Sequence, residues 1–131
     1  MKKIILVTIS IIFGGLVLFF IFAPTQNSQG QNTTQSKSSE INSEVSSGKA
    51  VLLDVRTPQE FSSGHSPKAV NFDSVRIDQG EMPNIPKDTK IYLYCRSGNR
   101  ATQVKNTLES QGYVNVVNLG GLSQMKNMGL L

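Results

Sequence analysis

The chain has 131 residues, 38% of them hydrophobic, and a net charge of +4. Two of those charges are Lys2 and Lys3 and the others are scattered, so the basic stripe that binding to a nucleic-acid backbone needs is missing. The single cysteine, Cys95, rules out an intramolecular disulfide, and the fold must rest on a buried core.

Residues 4–23, "IILVTISIIFGGLVLFFIFA", carry no charge. A helix of about 20 residues at ~1.5 Å rise reaches ~30 Å, the thickness of a bilayer's hydrocarbon core. Lys2 and Lys3 favour keeping the preceding end in the cytoplasm. Two readings are open, an uncleaved signal anchor and a cleaved signal peptide. The run exceeds the ~7–15 apolar residues of a usual signal peptide, and Ile21 ahead of Ala23 makes a poor cleavage site; both points favour the anchor. Residues 1–23 are therefore expected to be a signal-anchor or signal segment. Either way the remainder would lie outside the cytoplasmic membrane, as in a bacterial envelope protein.

Residues 24–39, "PTQNSQGQNTTQSKSS", hold almost nothing apolar, and the composition predicts a disordered polar tether. Residues 40–131 read as a folded domain. In "EINSEVSSGK", Ile41 and Val45 predict one or two helical turns ending near Gly48. "AVLLDV" (50–55) reads as a strand buried on both faces. "TPQE" (57–60) is a capping box with proline at the first helical position, and Gly64 is placed to end that helix.

"KAVNF" (68–72) is a short strand; 73–88 is read mainly as loop with room for one helical turn, and Gly80, Pro83 and Pro86 are its punctuation. "KIYLY" (90–94) is a second buried strand. Ala101, Val104 and Leu108 mark one face of a helix over about 99–111, which Gly112 can terminate. "VNVVNL" (114–119) is a last strand, and "LSQMKNMGLL" can form a short helix. Strands alternating with helices predict an α/β fold with a mainly parallel sheet. Ligands bind beyond the carboxyl ends of such strands, which is where Cys95 falls.

A lone cysteine usually only packs. Its context here offers a second reading. Cys95 ends a buried strand, and Arg96, Ser97, Gly98, Asn99 and Arg100 turn the chain into a helix. A tight turn through Gly98 can aim several backbone N–H groups at one point. The helix dipole adds to that field, and a thiolate at its centre would have a lowered pKa and be a better nucleophile. Arg96 and Arg100 supply cations for an anionic substrate.

"LLDVRTPQEF", the "GH" after it, "YCRSGNRA" and "NLGGL", in that order, resemble the motifs of single-domain rhodaneses, the thiosulfate sulfurtransferase-like family. The resemblance spans about Glu40 to Leu131. It implies a rhodanese-like, five-stranded, mainly parallel sheet flanked by helices, here preceded by one N-terminal transmembrane helix. It also implies that Cys95 is the catalytic nucleophile and that Arg96 to Arg100 form the active-site loop, with Arg100 closing it. Sulfane sulfur would pass from a donor such as thiosulfate, through a Cys95 persulfide, to cyanide or a thiol. No cofactor or metal is expected. The implied partners are a small sulfur-containing anion and a thiol acceptor, with a protein acceptor among the candidates. The membrane is engaged through residues 4–23, and nucleic acid is not a partner.

Rhodanese-type loops count six residues from the cysteine, as Cys95 to Arg100 does, whereas related phosphatases and arsenate reductases use one more. Those enzymes stay as an alternative, as does a sulfur-carrier or redox-sensing module without significant turnover. Asp54 and Arg56 are read as a supporting polar network, Glu60 as a helix cap and His65 as structural. Ser66 and Lys68 replace the family's usual branched apolar residue and glycine, which predicts a looser turn there.

Overall fold

The computed structural model describes residues 29–131. The expected membrane segment, residues 4–23, and residues 24–28 of the expected tether lie outside them. Among the described residues no helix is long and apolar enough to cross a membrane.

Four strands form one parallel sheet: β1 (Ala50–Asp54), β2 (Ala69–Asn71), β3 (Lys90–Tyr94) and β4 (Val116–Asn118), in the order β2-β1-β3-β4. Leu53 of β1 lies beside Leu93 of β3 and Asp54 beside Tyr94, so the carboxyl ends of the two central strands are level. A five-stranded sheet was expected, and the described residues make four strands. The fifth rested on the family resemblance alone, since the apolar runs of residues 40–131 are used up by these four.

Side chains alternate across the sheet with the period of two that a strand imposes. Leu53, Ile91, Leu93 and Cys95 enter one core layer with Ile77, Ala101, Val104 and Leu108. Leu52, Tyr92 and Tyr94 enter the other with Ile41, Leu119 and Met125. The first layer is covered by α3 (Ser74–Asp78) and α4 (Asn99–Ser110), the second by α1 (Gln29–Ser46) and α5 (Leu122–Asn127). α2 (Pro58–Ser62) follows β1.

α1 is longer than the one or two turns expected and takes in residues 29–39 of the predicted tether. Its exposed stretch, 33–37, is polar. Docking falls to its last turns: Ile41 is buried, Glu44 accepts a hydrogen bond from the Tyr92 hydroxyl at 2.6 Å, and Lys90 pairs with Glu44 at 2.9 Å. α3 is the short helix for which the loop stretch left room. Asp73 accepts from the Val75 N–H at 3.1 Å and caps a helix in a stretch whose glycine and prolines read as loop.

The turn after α2 is not loose. Ser66 is buried, and its N–H donates to the Tyr94 hydroxyl at 3.1 Å. Lys68 donates to the Asn42 carbonyl at 3.1 Å and to the Ser46 hydroxyl, so the residue that replaces a glycine ties this turn to α1.

Candidate active site

Cys95 follows the last residue of β3. Its N–H donates to the Gly120 carbonyl at 3.2 Å, and the residue is 0% exposed. The chain leaves the strand through Arg96 and Ser97 and reaches Gly98 at φ +97°, ψ −19°, a left-handed conformation that glycine adopts without a Cβ penalty. That angle turns the Gly98 N–H back to donate to Cys95 Sγ at 3.0 Å. α4 begins one residue later. Burial pushes the thiol's pKa up, but the N–H groups of Ala101, Ser97, Gly98 and Arg100 together outweigh it. The thiol is held below its ordinary range. The two readings of Cys95 thus meet in one residue: it packs with Leu93, Ala101 and Val104 in the core layer, and its sulfur receives the donors of the loop.

The loop residues divide by direction. Arg96, Ser97 and Asn99 are exposed, Gly98 is buried, and Arg100 is half-buried. Arg100 is not a free cation. Its Nη1 and Nη2 donate to the two oxygens of Glu60 at 2.7 and 2.9 Å. The Glu60 carboxyl is held at about 2, first by Arg100, against an opposing cost of burial and with help from the Thr57 N–H. Glu60 also completes the capping box of α2, its N–H donating to Thr57 Oγ1 at 3.2 Å and its Oε2 accepting from the Thr57 N–H at 3.2 Å.

The expected Asp54–Arg56 network is present and buried. Arg56 Nη2 donates to Asp54 Oδ2 at 2.6 Å and to the Gly64 carbonyl at 2.7 Å. Asn71 Nδ2 donates to the Asp54 and Arg56 carbonyls, tying β2 to the end of β1. Arg56 also lies over the ring of Tyr94, the residue before the cysteine, at 5.7 Å. His65 is not brought to Cys95. It is exposed, stacks on Phe61 at 3.7 Å, and its Nδ1 lies 2.9 Å from the Phe61 carbonyl.

Several residues that shape the loop were not in the expected site. Asn118 donates to the Gly98 carbonyl at 3.2 Å and accepts from the Gly120 N–H at 2.8 Å, joining the loop to the end of β4. Gly121 packs where a Cβ would stand 2.7 Å from the Arg96 carbonyl oxygen and 2.9 Å from Ser97 Cα. The signal for both lay in "NLGGL", whose paired glycines mark close backbone approach. The Glu60–Arg100 pair spans 40 residues and left no local pattern.

A parallel α/β sheet that presents a cysteine at the carboxyl end of a central strand, inside a ring of backbone N–H groups, defines a thiol-presenting domain. Residues 38–128 match the rhodanese-like domain, and the chain belongs to that family. It is similar to a sulfurtransferase of Allochromatium vinosum, 40% identical over 81 residues that cover 61% of this chain and 75% of that one. It is 30% identical to the thiosulfate sulfurtransferase PspE of Escherichia coli over 74 residues, 56% of this chain and 71% of the relative. Among solved structures it resembles SSP1007 of Staphylococcus saprophyticus, with a TM-score of 0.57, 29% identity and coverage of 72% of this chain and 94% of that one. The human single-domain sulfurtransferase TSTD1 aligns with a TM-score of 0.56 at 25% identity, covering 63% and 85%. The family and these named relatives support sulfurtransferase-type chemistry.

Gly121→Ala tests the packing behind the loop. The added Cβ meets backbone rather than a flexible side chain, so the variant is expected to lose about 1–3 kcal/mol in denaturant unfolding and to alkylate at Cys95 with a displaced pH profile. Wild-type stability and an unchanged profile would show that Gly121 does not set the loop.

Proposed function

We propose that this protein moves sulfane sulfur from an anionic donor such as thiosulfate to a thiophilic acceptor through a persulfide on Cys95. The observation that carries this reading is the set of N–H groups converging on the chain's only thiol and favouring its thiolate. In the first step the Cys95 thiolate attacks the outer sulfur of thiosulfate. A sulfur–sulfur bond forms to Cys95 while the bond to the sulfonate sulfur breaks, and sulfite leaves with the electron pair. In the second step cyanide or a thiolate attacks the outer sulfur of the persulfide. Thiocyanate or a new persulfide leaves, and the Cys95 thiolate returns.

The backbone donors serve both steps, because each begins or ends on an anion at the same place. Arg96, exposed beside the cysteine, is available to the sulfonate end of the donor. Ser97, Gly98, Asn99 and Arg100 complete the loop, and Asp54 with Arg56 supports the strand ends beneath it. The chain has no second cysteine to resolve the persulfide, so the acceptor comes from outside as a small thiol, cyanide or a protein thiol.

One observation favours a second reading. With Cys95 at 0% exposure, a donor reaches the sulfur only if the groups packed around it move aside. A domain that keeps them in place would carry sulfur or sense oxidants with little turnover. Phosphatase-like and arsenate-reducing chemistry is disfavoured by the six-residue loop.

Thiocyanate formation from thiosulfate and cyanide separates these readings. The full chain is expected to turn over, and Cys95→Ser to fall to background. Wild type no faster than Cys95→Ser would end the enzyme reading in favour of the carrier. Cys95-dependent phosphatase turnover without thiocyanate would overturn the argument from loop length.

The same proposal sets the domain on the outer side of a membrane, supported by the apolar run 4–23 behind Lys2 and Lys3. The protein is expected to remain with membranes through a high-salt wash. A mature chain that begins at or after Pro24 and washes free would contradict the anchor.

A further inference from the structure

Arg100 stands between two anions. Its side chain leaves the last position of the loop that opens at Cys95, and Glu60 reaches it from α2. The grip of Glu60 exceeds what its cap requires. A capping box needs one carboxylate oxygen for the N-cap N–H. Here Oε2 serves Thr57 and Arg100 together, and Oε1 goes to Arg100 alone. Both terminal nitrogens of Arg100 are thereby engaged in the fork geometry that makes arginine–carboxylate pairs strong. The pair is partly buried, at 30% and 28% side-chain exposure, so bulk water screens it only in part.

We infer that Glu60 is a positioning residue that controls how much of the Arg100 charge reaches Cys95 and an anionic donor, by holding Arg100 bidentately from a neighbouring element. The donor half of this inference rests on the sulfur-transfer reading; the thiol half rests on the bidentate pair and on the place of Arg100 in the loop. Glu60 holds Arg100 in place over the loop and also neutralises much of its charge. The thiolate then depends on the backbone donors rather than on a bare cation.

The other charged groups on adjoining elements do not duplicate this. Asp54 and Arg56 at the end of β1 are paired with each other, and Arg96 is exposed. Asn118 to Gln124, from β4 into α5, supply no charged side chain.

The sign of one measurement separates this role from a purely structural one. If Glu60 only braced the loop, removing its charge would loosen the N–H cradle and raise the thiol pKa. If it restrains Arg100, the same change releases a cation toward Cys95 and lowers it. Cys95 is the only thiol, so the pH profile of iodoacetamide alkylation on the full chain reads it directly.

Glu60→Gln keeps the size and the acceptor for the cap. It is expected to lower the alkylation midpoint by about 0.5–1 pH unit and to lower KM for thiosulfate several-fold with a smaller change in kcat. Glu60→Asp keeps the charge but shortens the reach, and its midpoint is expected between wild type and Glu60→Gln. In an Arg100→Gln background the drop is expected to shrink by more than half, because Glu60 acts through Arg100. Thr57→Val, which weakens the cap without touching the ion pair, is expected to leave the midpoint in place.

A midpoint that stays or rises in Glu60→Gln overturns the inference, as does a full drop in the Arg100→Gln background. If Glu60→Gln does not fold, Glu60→Asp decides by the same sign. Failure of the sulfur-transfer reading appears separately, as absence of thiosulfate turnover in wild type while the alkylation midpoints still respond to Glu60.

Discussion

The structure turns on one conflict, the easing of a thiol's ionisation inside a protein core. Taking an anion out of water costs several kcal/mol even after relaxation. A hydrogen bond to a charged group returns about 1.5–3 kcal/mol, so one donor does not balance the cost and several do. Ser97, Gly98, Arg100 and Ala101 supply them from consecutive residues of backbone, and together they outweigh burial and lower the thiol's pKa. Backbone donors are also fixed by the fold, so under the proposed sulfur transfer they would serve a charge on Cys95 or on a sulfur bound to it.

That arrangement makes demands on the rest of the chain. The N–H groups converge because Gly98 takes a left-handed angle and α4 starts immediately after it. The loop is closed from the other side by Asn118, Gly120 and Gly121, whose backbone lies against Arg96 and Ser97. The strand beneath is fixed by Tyr94, which stands at the end of β3 with its hydroxyl on the Ser66 N–H and its ring under Arg56. Three separate stretches of sequence therefore meet around the cysteine loop, and the parallel sheet, with its level central strand ends, is what brings them together.

How much of this could be read from the sequence depended on range. β1, β3, α2 and α4 follow from patterns a few residues long: unbroken apolar runs, a Thr-Pro-x-Glu cap, and apolar residues at helical spacing. The cysteine loop was legible for the same reason, since strand, turn and helix start are contiguous. Of α1 only the last turns were legible, because between Gln29 and Glu40 nothing apolar recurs, and its docking residues Ile41, Glu44 and Val45 come only at its end. α3 was legible only as one turn within a loop, because the glycine and prolines that follow it cut the pattern short. Ala101 fell outside the expected loop because its N–H contributes from within the helix. The bidentate contact of Glu60 with Arg100 joins residues 40 apart, and only the folded sheet shows that a helix cap is also an ion-pair partner.

The most direct test of the central claim, that the buried Cys95 thiolate accepts sulfane sulfur, is the intact mass of the full chain after treatment with thiosulfate. The cradle predicts the gain of a single sulfur atom, located on Cys95 by fragmentation, lost on addition of cyanide and absent from Cys95→Ser. A chain that keeps its mass in excess thiosulfate while Cys95 still alkylates readily would contradict it.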